Sequence, residues 1–115
     1  MNVHGLSGRE LDALVAQQLF GLQVQERANL KTGEQDFVYN ARPQAPTPEW
    51  VRVPFYAAGF GASITVEVEL QKRGWRRKEA SEPGVVLEHA DGRTVEAVGP
   101  LNEALCRAAL KAVAP

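Results

Sequence analysis

A single cysteine, Cys106, stands among 115 residues, so the chain has no internal disulfide framework, and this usage suits a reducing compartment. Histidine is nearly as scarce. His4, His89 and Cys106 lie far apart and show none of the short spacings of a zinc site, so neither a metal nor another cofactor is expected. No run reaches the ~18 apolar residues that span a bilayer, and no basic-then-apolar leader opens the chain; together these predict a cytoplasmic protein with no membrane partner. Net charge is almost absent, at −1. A protein that coats nucleic acid or an anionic membrane has a strong positive field, so any such contact here is local.

A catalytic constellation is also missing. In an alanine-rich helix Cys106 reads as a core residue and not as an activated nucleophile. Ser7 is engaged in helix capping, and neither Ser63 nor Ser81 sits in a nucleophile elbow. Glu67 and Glu69, two apart on a helix, point in different directions and do not form a glycosidase pair. The expectation is a protein that is not an enzyme.

What is present is enough apolar content, 44%, for one compact core in a single domain spanning residues 1–115. Ser7-Gly8-Arg9-Glu10 has the form of a capping box, with Leu6 and Leu11 at its staple positions. Leu11, Leu14, Val15 and Leu19 then make a helical stripe that Gly21 ends, which predicts a helix over 8–20 with Gln18 at the core margin. Alternation in 22–25 and 36–39 predicts two paired strands across a polar loop containing Gly33. Three prolines in 42–48 predict an extended surface loop over about 42–49.

Residues 60–73 read two ways. Ile64, Val66, Val68 and Leu70 alternate with polar residues as in a strand, whereas Phe60, Ile64 and Val68 recur at helical spacing, Glu69 and Arg73 form an i,i+4 pair, and Lys72-Arg73-Gly74 is a helix ending. Beyond Gly74, residues 75–80, 85–89 and 93–98 read as a meander with turns at Pro83-Gly84 and Asp91-Gly92. Pro100, at the first helical position, opens a final helix in which Glu103, Arg107 and Lys111 share a narrow arc and alanine and leucine fill most of the rest. So broad an apolar surface needs cover on two sides. That cover is either a second copy, giving a homodimer, or the first helix of the same chain.

The final run Pro100 to Ala112, with Cys106-Arg107-Ala108-Ala109-Leu110-Lys111 at its centre, resembles the hallmark positions of the phage ABA sandwich domain, a family of small phage and prophage proteins with no assigned activity. Leu11-Asp12-Ala13-Leu14-Val15, Gly21, Pro54, Tyr56, Leu70-Gln71-Lys72-Arg73-Gly74-Trp75 and Asp91-Gly92 extend the resemblance in order along the chain. It implies a helix over 60–73. The fold class is then α+β: a small α/β/α-type sandwich, with an antiparallel sheet covered by an N-terminal, a middle and a C-terminal helix.

Three places are candidate ligand contacts. Gly59-Phe60-Gly61, with Ser63, would bring free amides to the start of a helix and hold an anion; close packing of helix on sheet is the weightier explanation. Lys72 to Lys78 is the one basic cluster. In it Arg76, Arg77 and Lys78 would supply charge and Trp75 or Tyr56 a stacking face, although a strand divides these between two faces and Trp75 suits the core. Trp50, Phe55, Tyr56 and Phe60 group aromatics beside Arg52, a mixture that either binds partners or seals the open end of a sandwich. The expected function is that of a phage or prophage accessory binding protein. It would act in counter-defence, by sequestering a small anionic nucleotide-type signal or by blocking a host protein. The alternative is a nucleic-acid-binding module, because helix, three strands and helix over 58–113 resemble the order of a double-stranded RNA-binding domain.

Overall fold

In a computed structural model the described residues are 8–28, 30–78 and 84–114. The capping box at Ser7, the Pro83 turn and the end of the strand at 79–80 lie outside them. The first helix, α1 (Gly8–Leu14), passes into a π-helical stretch, Val15–Leu19, where the Phe20 amide donates to the Val15 carbonyl. An α-helix lets a four-residue spacing drift one way and a π turn, with more residues per turn, lets it drift back. Leu11, Val15 and Leu19 all stay buried as a result. Gly21 at φ 66° ends the helix as its position predicts, and Gln18 is exposed.

Strands β1 (Val24–Ala28) and β2 (Gln35–Asn40) pair antiparallel with Val24 opposite Tyr39; the pairing is the expected one, but β1 starts two residues later than the alternation over 22–25 predicts and runs on to Ala28. A third strand, β3 (Trp50–Arg52), follows the proline loop and pairs with the other edge of β2. Sequence pattern misses it, because three residues are too few to show a period.

Helix α2 (Phe60–Lys72) resolves the ambiguous segment. Its buried line is Ser63, Val66 and Leu70; Ile64 and Val68, which supplied the helical spacing, lie 47% and 45% exposed. The apparent period of two arises because one helix places Val66 and Leu70 inward and Ile64 and Val68 outward. Gly74 at φ +89° terminates the helix, and a Cβ there would approach His89 Nε2 to 2.8 Å. Arg73 bonds to Glu69 at 3.5 Å and donates to the Leu19 carbonyl at 2.6 Å, fastening the two helix ends together.

The meander forms as β4 (Trp75–Lys78), β5 (Val85–His89) and β6 (Thr94–Ala97), a second sheet separate from the first. The small α+β sandwich thus has its strands divided between two three-stranded antiparallel sheets. Helix α3 (Leu101–Val113) begins one residue later than expected: Pro100 is the residue before the helix, with ψ 144°, and its carbonyl accepts from Ala104. This helix packs against β5, β6, α2 and both parts of the first helix, so Ala104, Leu105, Cys106, Ala108, Ala109 and Leu110 are all buried. The second cover that its apolar surface requires is present within the chain. Alanine at three of those six positions lets neighbouring elements approach closely, and one core runs from Leu11 through Val53 and Val66 to Leu110.

Candidate functional site

In the first sheet β-strand alternation sends Val24, Phe37, Tyr39, Val51 and Val53 toward α1 and the core, and Gln25, Arg27, Val38, Trp50 and Arg52 to the opposite face. Of the helices, α1 alone packs substantially on this sheet, on the inner side. The outer face is therefore open. Across it Arg27 lays its guanidinium 4.9 Å from the centre of the Trp50 ring, and Arg52 lies 4.6 Å from that of Phe55. Arg9 also lies over the Phe55 ring, 4.1 Å from its centre. Phe55 is still 38% exposed.

A polar network fixes one end of this face. Arg9, on the first turn of α1, donates to Asp36 Oδ1 at 2.7 Å and 3.0 Å, to Asp12 Oδ2 at 2.7 Å, and to the carbonyls of Val53 and Pro54 at 2.9 and 3.4 Å. The other oxygen of Asp12 accepts the Ala57 amide at 2.7 Å, and Asp36 Oδ2 accepts Arg52 Nε at 2.7 Å. Helix, sheet and the chain leaving β3 are joined at one point. Burial pushes the Asp12 carboxyl above its usual range, against the pull of the Ala57 amide and Arg9. Burial also acts on Asp36, but the Phe37 amide, Arg9 and Arg52 outweigh it and hold this carboxyl below its usual range.

The consequence is a face with spare positive charge. Asp36 is the one carboxylate on it among the described residues, and it is already shared by two arginines. Among the described residues Arg27 bonds only through Nη2 to Gln25 Oε1, at 3.3 Å, and Arg52 only through Nε, so both exposed guanidiniums keep donors to offer. Guanidinium donors beside flat rings suit a planar group carrying an anion.

The residues singled out from the sequence are not gathered into one site. Tyr56 is 4% exposed, stacked on Phe20 at 5.4 Å, with its hydroxyl pushed up to about 12 by burial. Trp75 is 4% exposed, with His89 against it edge-on at 5.0 Å and Arg93 at 5.4 Å. Neither ring offers an open face. Arg77 pairs with Glu67 at 3.5 Å, about 10 Å along α2 from its start at 1.5 Å per residue, and Lys78 pairs with Glu88 at 3.6 Å. Arg76 is exposed and makes no ion pair among the described residues. At the helix start Ser63 is buried, and a Cβ on Gly59 would come within 3.0 Å of the Phe55 carbonyl, which accords with close packing. Gly61 faces open space.

Cys106 is fully buried, and burial foremost pushes its thiol up to about 12. Among the described residues no group of three or more histidine, cysteine, aspartate or glutamate side chains is placed to hold a metal ion, and no helix is long and apolar enough to cross a membrane. Trp50, Phe55 and Arg52 were legible in the sequence as an aromatic and basic mixture. Arg9, Asp12, Arg27 and Asp36 were not, since their partners are 16 to 45 residues away. Arg9 and Asp12 at i,i+3 were the one local signal. No family model, curated protein or solved structure matches this chain.

Proposed function

We propose that this protein is a non-enzymatic binding protein that takes a nucleotide-type anion, a flat base with its phosphate, on the outer face of the first sheet. The supporting observation is the pair of exposed guanidiniums, Arg27 and Arg52, lying on Trp50 and Phe55 where Asp36, the one carboxylate of that face among the described residues, is already engaged. The base stacks on ring or guanidinium while the arginine nitrogens donate to phosphate oxygens. Each charge-assisted bond is worth about 1.5–3 kcal/mol, so losing one arginine weakens binding by roughly tenfold or more. The resemblance to phage ABA sandwich proteins would make the protein a phage or prophage accessory factor, sequestering a nucleotide signal in counter-defence.

Thermal-shift screening against linear and cyclic nucleotides tests this, followed by Arg27→Ala, Arg52→Ala and Arg76→Ala. Stabilisation lost in the first two variants and kept in the third is expected. No stabilisation by any nucleotide, with a host protein recovered in pull-downs, moves the function to protein blocking. One observation favours a second reading: α2, β4, β5, β6 and α3 follow the order of a double-stranded RNA-binding domain, with α2 and α3 packed together against the sheet. That module presents cations at the start of its last helix, where this chain has Leu101, Asn102 and Glu103, the last bonded to Arg107 at 3.2 Å. Duplex RNA binding with a steep salt dependence would favour it.

A further inference from the structure

Building on that reading, we infer that the natural ligand is a single strand of at least two linked nucleotides lying along β3, and not a mononucleotide. A lone nucleotide is normally held in a concave site that encloses most of its surface. The outer face is instead an open three-stranded plate, on which a planar group can be covered from one side only. Affinity on such a plate comes from repeated stacking along a chain with cations following the backbone.

The residues are arranged for repetition. Trp50 and Arg52 point to the same side two residues apart, about 6.6 Å at the strand rise, and Phe55 follows beside Arg52. From one end of β3 to the other the order is Arg27 on Trp50, then Arg52 on Phe55, then Arg9, so cation and ring alternate. One base occupies one of these pairs; the second pair matches the next base. Next to Phe55 lies a depression of about 440 Å³ lined by Gly8, Arg9, Asp12, Glu34, Gln35 and Ala58; its two carboxylates disfavour a phosphate there, so the track ends at Phe55. Between the two arginines Val38 supplies an apolar centre, and Gln25 lies across β2 from Arg52 with an amide able to meet a base edge.

The test is a ladder of mononucleotide, dinucleotide and short single-stranded DNA and RNA oligomers, with equilibrium binding followed by tryptophan fluorescence. Trp50 is half-buried at the surface and Trp75 is in the core, so quenching reports on Trp50. Affinity is expected to rise at least about fivefold with each added stacked base. Binding should weaken with salt at a log–log slope of about 0.7 per contacted phosphate, and Arg52→Gln should lower that slope by one such step. Trp50→Leu should abolish quenching and flatten the length dependence. Arg27→Gln, at an exposed position bonded among the described residues only to Gln25, weakens the oligomers without unfolding the sheet, and circular dichroism verifies the fold of every variant. A mononucleotide that binds as tightly as the oligomers overturns the strand inference and leaves nucleotide binding standing; binding of neither overturns both. Length dependence that survives Trp50→Leu and Arg52→Gln but disappears in Arg76→Gln also overturns it, because the track would then lie on the second sheet. The DNA and RNA arms identify the sugar.

Discussion

Truncation of Asp12 to alanine removes the acceptor that joins α1 to the chain leaving β3. The side chain is 1% exposed, with one oxygen on Arg9 and the other on the Ala57 amide, each at 2.7 Å. Asp12→Ala orphans the Ala57 amide and takes from Arg9 one of its two carboxylate partners, Asp36 remaining. A buried amide without a partner costs about 1–3 kcal/mol, and the lost charge-assisted bond to Arg9 adds about 1.5–3 kcal/mol. For a domain with roughly 5–15 kcal/mol of stability this is a large share, and at about 3–5 °C per kcal/mol it lowers the melting temperature by roughly 10–20 °C. Asp12→Asn keeps an oxygen for Ala57 and loses only the charge toward Arg9, so its cost should be less than half as large. Urea denaturation of both variants, and of Arg9→Met alone and combined with Asp12→Ala, gives the Arg9–Asp12 coupling, expected between about 0.5 and 3 kcal/mol. A cost below about 1 kcal/mol for Asp12→Ala, at an unchanged denaturant slope, would refute the claim that this network fixes the geometry of the site.

The acid limb of stability should carry the mark of Asp36. Because its carboxyl is lowered in the fold, it contributes stability above about pH 4 that is lost as pH falls through the folded value, so Asp36→Asn flattens the urea-stability profile there. Asp12, raised in the fold, acts in the opposite sense and is separated by its own variant. At alkaline pH, Tyr56 and Cys106, both held near 12, favour the fold while neutral; their contribution is complete below their unfolded values and disappears as pH rises toward 12. Cys106 should accordingly resist thiol reagents until denaturant is added; rapid labelling of native protein would contradict its burial. Gly74→Ala meets both a positive φ and a Cβ contact of 2.8 Å with His89, so a loss of more than about 1 kcal/mol is expected on thermal denaturation. A neutral Gly74→Ala would show that the α2–β4 turn can shift.

The elements whose signals are local were legible in the amino-acid sequence. Leu11, Val15 and Leu19 with Gly21, the paired strands read at 22–25 and 36–39 and found at 24–28 and 35–40, the meander after Gly74 and the alanine-rich α3 each rest on spacing or on a turn residue, and each formed. The site was legible only in part. Trp50, Arg52 and Phe55 could be grouped by proximity in the chain, but which aromatic rings stay open depends on neighbours that sequence does not name. Trp75 sits in the basic cluster yet is covered by His89 and Arg93, while Trp50 faces outward because β3 pairs with β2 in a register that turns Val51 and Val53 inward. Likewise Arg27 reaches Trp50 across 23 residues of chain, and Arg9 reaches Asp36 and Phe55 across 27 and 46. Local chemistry determined the elements; long-range register and the closing of helix on sheet decided which charges remained available to a ligand.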